Sequence, residues 1–353
     1  MSRDALIAAG ATMQAFDPTP MPDSLAVCLK PYEQLVPGCN LESELRAAVK
    51  RYGRVGLVGG IGCGKSGVSR YALGAPGLAM VALNVVTEDR EKIVTVRGFL
   101  EILVSQLLSR ATVASRLSDT LRERLLADAA PIEALPRTEI RTRAELGGAI
   151  WLLDGGVARD VTRTLDGGES YRSTHDLRQA ARDALGAISA NDVVPVLLAD
   201  DTDRLLRVAN DTEQADRMFR GFFGEVLREV AEQLECGLVI AIHDRYLERK
   251  DYAELTAGRI LTKEIPTLTE PLQLARIIDR RGEFVQPRVS HEELMSAAAL
   301  DRLAAIHRAG RDGGLRATIG LFHQALGLAI SDGSDCIDER HITAADTLVP
   351  GGY

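Results

Sequence analysis

The chain has 353 residues, 46% hydrophobic and 26% charged, which suits a globular protein with two domains or one core and a large appendage. A formal charge of −8 gives no general attraction to nucleic acid or anionic membrane, so any such contact needs a local basic patch. Five scattered cysteines without a C-x-x-C pair, and no run of 18 apolar residues, speak against a disulfide frame, a zinc site, secretion and membrane spanning; the expectation is a reduced, cytoplasmic protein.

Residues 1–40 carry Pro18, Pro20, Pro22, Pro31 and Pro37 with little periodicity, and predict an extended lead-in over the core. Leu41–Tyr52 reads as a helix with Asn40 as its N-cap, and the apolar run Arg54–Val58 as a buried strand. A glycine-rich loop and a helix follow, then a turn at Gly74, Pro76 and Gly77 and a β-rich run over Ala79–Val86. Val94, Phe99, Leu100, Leu103 and Leu107 mark a long helix. Between about 111 and 190, charged helical stretches alternate with Gly-rich turns. The helix over Ser173–Ala190 opens with the capping pattern Ser173-x-x-Asp176.

The strongest strand signal is Asp192–Asp201. Residues 212–235 form an amphipathic helix stopped at Gly237, Leu238–Ile242 a strand ending in His243, and Ile260–Ile265 a shorter strand before Pro266. Beyond that the pattern is helical. Scarce aromatics (4%) leave a core of Leu, Val, Ile and Ala, as helices on a parallel sheet require. The expected fold is α/β: a three-layer core with a central parallel sheet and a C-terminal all-α lid. The expected divisions are a lead-in (1–40), a core (41–265, with a helical insertion at about 111–190) and a lid (266–353).

Gly59-Gly60-Ile61-Gly62-Cys63-Gly64-Lys65-Ser66 reads G-x-x-x-x-G-K-S after a strand and before a helix. Glycines let successive N–H groups turn toward phosphate oxygens, Lys65 reaches the outer phosphates of a triphosphate such as ATP, and Ser66 can ligate Mg²⁺. The apolar strand ending in Asp200-Asp201 supplies the complementary acids: Asp200 for the metal, carried to the sheet edge beside the loop, and Asp201 to polarise water. The competing reading is a strand ending in two solvated acids. Cys63 is expected to be a small filler inside the loop. Arg276, Arg280, Arg281 and Arg288 form a small basic cluster that could meet DNA phosphates, against the plainer reading of a solvated helix face.

In order, Gly59–Ser66 (Walker A), Leu197–Asp201 (Walker B), the strand ending at His243 (sensor 1) and Gly313-Gly314-Leu315-Arg316 (sensor 2) resemble the AAA+ superfamily of P-loop ATPases. The chain looks most like the branch of origin-recognition-type initiators and transposon ATPase regulators. The resemblance spans roughly residues 40–348 and implies ATP and Mg²⁺ as cofactors, hydrolysis through Asp200 and Asp201, and His243 and Arg316 as nucleotide sensors. It also implies self-assembly, a partner protein and DNA-linked work. An arginine finger is expected among Arg245, Arg249 and Arg259, with Arg259, just before the short strand, the choice. With only Pro350–Tyr353 after the lid, the reading leaves no room for a winged-helix domain.

Three departures qualify the resemblance. Asp201 stands where Glu is usual and shortens the reach to water, so turnover is expected to be slow. His243 stands where Asn, Thr or Ser is usual, and a purely structural histidine is the competing reading. Asp200-Asp201-Thr202-Asp203-Arg204 is also similar to the D-D-x-D-R pattern of STAND signalling ATPases, which implies the alternative of a scaffold that binds nucleotide with little turnover.

Overall fold

The computed structural model describes residues 3–18, 28–83, 90–109, 119–120, 173–190, 192–200, 202, 212–310 and 313–348. In chain order its principal elements begin with α1 (Arg3–Ala11), the one-turn α2 (Tyr32–Leu35), α3 (Leu41–Val49), β1 (Arg54–Val58), α4 (Lys65–Leu73), β2 (Leu78–Ala82), α5 (Val96–Ser109), α6 (Thr174–Ser189) and β3 (Val194–Ala199). They continue with α7 (Thr212–Arg220), α8 (Leu227–Gln233), β4 (Gly237–Ile242), α9 (Lys250–Thr256) and β5 (Leu261–Glu264). After β5 come helices only: α10 (Pro271–Gly282), α11 (Ala297–Arg308), α12 (Gly314–Ser331) and α13 (Glu339–Leu348).

The strands form one parallel sheet flanked by helices, in the order β2-β3-β4-β1-β5. Leu78 to Ala82 pair with Val194 to Leu198, and Val196 to Ala199 with Gly237 to Ile240. Chain order and sheet order differ because parallel neighbours need crossovers, and the crossovers carry the helices. β4 therefore lies between β1 and β3.

The chain forms two compact units, one of Met1–Arg46, Leu57–Gly74 and Thr262–Tyr353, the other of Ala47–Gly56 and Ala75–Leu261. In the second, β3 and β4 are almost wholly buried. α6 packs on α5 and β3 through Leu177, Ala181, Leu185 and Ile188, the stripe its 3.6-residue period presents. Its N-terminus carries the expected capping box: the Ser173 hydroxyl accepts from Asp176 N–H (3.3 Å), and the Asp176 carboxylate from Ser173 N–H (3.0 Å). The expected helix over 212–235 is continuous from Thr212 to Gln233 but passes through a π segment at Gly221–Val226. That segment holds two glycines, the weakest helix formers other than proline, and Phe222 and Phe223 are both buried there.

The first unit corrects the reading of the lead-in. Residues 3–18 are not extended: α1 and a 3₁₀ turn (Met13–Phe16) pack on α12, with Leu6 and Ala9 buried and the Phe16 and Phe322 rings 5.2 Å apart. Arg281 on α10 is 9% exposed and donates to the Ala15 (3.2 Å) and Asp17 (2.7 Å) carbonyl oxygens, tying the lead-in to the helical segment. The insertion expected at 111–190 lies outside the described residues up to 172, save 119 and 120, as do the last residues of the strand expected over Ala79–Val86.

Candidate functional site: a phosphate loop and two strand ends

β1 ends at Val58, and the next six residues turn back into α4. Gly62 (φ +73°) and Gly64 (φ +101°) take the left-handed conformation, where a side chain is strained. The Lys65 ammonium, on a residue only 8% exposed, folds across the loop and donates to Gly59 O (2.6 Å) and Gly60 O (2.8 Å). No carboxylate pairs with it among the described residues. Two of its three protons are thus spent inside the loop, with only the Cys63 thiol, at 3.9 Å, near the third. A buried ammonium with no carboxylate partner among the described residues suits an anionic ligand. Ser66, half-buried in the first turn of α4, offers the hard oxygen that Mg²⁺ prefers.

The start of α12 closes on the same loop. Arg316 N–H donates to Gly62 O (3.1 Å), and a Cβ on Gly62 would lie 1.9 Å from Gly313 O. The expected sensor 2 segment is therefore in direct main-chain contact with the phosphate loop. The Arg316 side chain is exposed, and its guanidinium has no hydrogen-bond or ion-pair partner among the described residues.

One contact to this loop was not anticipated from sequence. Tyr32, 2% exposed, donates its hydroxyl to Cys63 O at 2.6 Å. Burial pushes its pKa up, so the hydroxyl remains a donor across the physiological range. The fully buried Glu42 carboxylate accepts from Tyr32 N–H (2.6 Å) and Glu33 N–H (3.2 Å), anchoring the one-turn helix that carries the ring. A first-turn acid in α3 is a weak capping signal, and nothing in the stretch around Tyr32 points to the loop.

In the second unit, β3 and β4 run side by side and end in Asp200 and His243. Thr202, fully buried, donates its hydroxyl to Ala241 O and fastens the two strand ends together. Asp200 is half-buried; Asp201 lies outside the described residues. His243 is 8% exposed, with Nδ1 3.2 Å from Arg245 N–H and 2.6 Å from Asp244 Oδ1. One ring nitrogen serves one of these at a time: in the tautomer without a hydrogen on Nδ1 it accepts from Arg245 N–H, and in the other it donates to Asp244 Oδ1.

The three arginines considered for a finger differ. Arg259 donates to Leu255 O (2.9 Å) at the end of α9, and Arg249 is held by Asp216 and Asp251 over the Phe219 ring. Arg245 is exposed, with no side-chain partner among the described residues. Of the basic cluster, Arg276 donates to Gln34 O, Arg280 pairs with Glu283, and Arg281 is buried. Among the described residues no group of acids, histidines and cysteines could hold a metal, and no helix is long and apolar enough to cross a membrane.

No protein-family profile matches the chain, and no curated protein matches it. Solved structures do. The ORC1 protein of Aeropyrum pernix in complex with DNA aligns at 14% identity and TM-score 0.45, over 90% of this chain and 69% of that one. Cdc6p from Pyrobaculum aerophilum aligns at 14% and 0.45, over 91% and 68%. The Aeropyrum pernix ORC2 protein in its ADPNP–ADP complexes aligns at 15% and 0.46, over 88% and 68%.

Proposed function

We propose that the chain is an AAA+-type molecular switch that binds ATP·Mg²⁺ and hydrolyses it slowly. The observation that carries the reading is the buried Lys65 ammonium, held by two carbonyls and, among the described residues, by no carboxylate, within a G-x-x-x-x-G-K-S loop. In this reading Gly59–Ser66 cradle the phosphates, and Arg316, whose guanidinium has no partner among the described residues, answers to the outermost one. Ser66 and Asp200 would hold Mg²⁺, whose role is to offset phosphate charge; both are hard oxygen donors. Asp201 would orient the attacking water, and His243, at the end of β4, would sense the phosphate by changing which of Arg245 and Asp244 it serves.

The switch reading extends to assembly with further copies or a partner protein, in DNA-linked work such as transposition control, replication or phage defence. That setting rests on the motif resemblance alone. The arginines of α10 are engaged by the protein's own groups, so a DNA contact in this reading uses other residues or a partner. Of the finger candidates, Arg245 is exposed with no side-chain partner among the described residues, as such a role needs, whereas Arg259 caps its own helix.

The test is ATP binding and turnover of the wild type, Lys65→Ala and Asp201→Ala. The expected result is nucleotide affinity lowered at least about 100-fold by Lys65→Ala, the scale of losing a charge-assisted contact in a buried site. Asp201→Ala is expected to bind nucleotide and lose turnover. Equal turnover in all three removes the enzymatic claim. Tight binding without turnover in the wild type favours the STAND-like scaffold, which the sequence Asp200-Asp201-Thr202-Asp203-Arg204 supports.

A further inference from the structure

The carbonyl oxygens of the phosphate loop are accounted for almost one by one. Gly59 O and Gly60 O accept from Lys65 Nζ, Gly62 O from Arg316 N–H, Cys63 O from the Tyr32 hydroxyl, and Gly64 O from Val68 N–H. A trans peptide is planar, and its C=O and the following N–H point in opposite directions. Each pinned carbonyl therefore fixes the aim of the next N–H. Holding Cys63 C=O on the tyrosine turns Gly64 N–H away from it, toward the opposite side of the loop. Gly64 needs that control most, because at φ +101° it has no side chain to restrain it, and its own carbonyl bond to Val68 N–H fixes only the peptide that follows.

We infer that Tyr32 is a positioning residue of the nucleotide site: its hydroxyl fixes the Cys63–Gly64 peptide so that the Gly64 N–H is aimed at bound phosphate before the ligand arrives. The inference rests on the phosphate-binding reading of the loop and extends the site to the lead-in, well outside the motif. Glu42 belongs to the same device. Fully buried, it holds Tyr32 N–H and Glu33 N–H and sets where the ring stands. A donor that only filled space would not need a 2.6 Å bond to the one carbonyl preceding Gly64. Preorganised N–H donors lower the cost of ordering a loop around an anion, so loss of the hydroxyl should weaken binding without removing a direct ligand contact. Because the device acts on the loop itself and makes no contact that only the outermost phosphate would need, ADP and ATP should suffer alike.

The experiment titrates the full chain with fluorescent ADP and ATP derivatives, comparing wild type, Tyr32→Phe, Glu42→Gln and Lys65→Ala. Thermal midpoints without nucleotide and the iodoacetamide labelling rate at Cys63, followed by peptide mass spectrometry, are read in parallel. Tyr32→Phe keeps the ring and removes the donor. Its expected result is a roughly tenfold weaker Kd for both nucleotides, the scale of one lost hydrogen bond to a buried carbonyl. Cys63 should label faster, and the nucleotide-free thermal midpoint should fall by only the few degrees, about 2–4 °C, that one hydrogen bond is worth. Glu42→Gln should shift affinity and labelling in the same direction, and it carries the test should Tyr32→Phe fail to fold. Wild-type Kd and labelling rate in Tyr32→Phe, while Lys65→Ala abolishes binding, overturn the role of Tyr32 and leave the nucleotide reading standing. If wild type and Lys65→Ala bind alike, or neither binds, the nucleotide reading itself falls and this inference with it.

Discussion

At Gly62 and Gly38 the same backbone conformation has two different causes. Both residues have positive φ, +73° and +76°, but a Cβ on Gly38 meets nothing within 4 Å, whereas on Gly62 it would strike Gly313 O at 1.9 Å. Alanine at Gly38 should therefore show only the backbone penalty, about 1 kcal/mol. Alanine at Gly62 adds a clash with main chain that cannot rotate away, and should destabilise by about 3 kcal/mol in chemical denaturation. The difference between the two variants measures how closely the start of α12 seats on the phosphate loop. Equal losses would mean that the contact between Gly62 and Gly313 is not made in solution.

At the scale of elements, α6 depends on its cap. Ser173→Ala removes the acceptor for Asp176 N–H and half of a reciprocal pair, so it should cost about 1 kcal/mol of stability by urea unfolding. Gly at the same position should cost less, since glycine tolerates the cap conformation. This cap was legible in the sequence because both partners are local, three residues apart. β3 and β4 were legible for a related reason: strands buried on both faces are written as unbroken apolar runs. The order of the strands was not, because it is fixed by where crossovers return, and β4 is inserted between β1 and β3.

α1 escaped notice because its buried face is Ala5, Leu6 and Ala9, too small and too weakly contrasted to stand out beside the prolines that follow. Arg281 misled in the opposite direction. Its charge suggested surface, yet two carbonyl oxygens of the lead-in hold its guanidinium under cover. In the candidate site the same division holds. The glycines, Lys65 and Ser66 are legible because the loop needs those residue types at fixed spacing. Tyr32 and Glu42 act through tertiary contacts thirty and ten residues away, which no local pattern encodes.

At the scale of the whole molecule, His307 and Asp332 contribute to acid sensitivity in separate pH windows. His307 on α11 shares a 2.7 Å hydrogen bond with the Thr318 hydroxyl, whose own proton goes to Gly314 O at 3.1 Å. The hydroxyl has one proton, so His307 Nδ1–H is the donor, and burial of the ring pushes its pKa below the ordinary 6.5. As pH falls below about 6.5 the unfolded chain takes up a proton that the native chain resists. The unfolded state then binds more protons, and stability declines with falling pH. Asp332, exposed but held by Ser334 and His341, is lowered from 3.8 to about 2, so its contribution disappears only between those values. The two windows do not overlap. Urea unfolding midpoints of the wild type should therefore fall between pH 7.5 and 5, then again below pH 4. His307→Gln, which can still donate to Thr318, should flatten the first decline and leave the second. Equal slopes for the two proteins between pH 7.5 and 5 would place the first acid limit on some group other than His307.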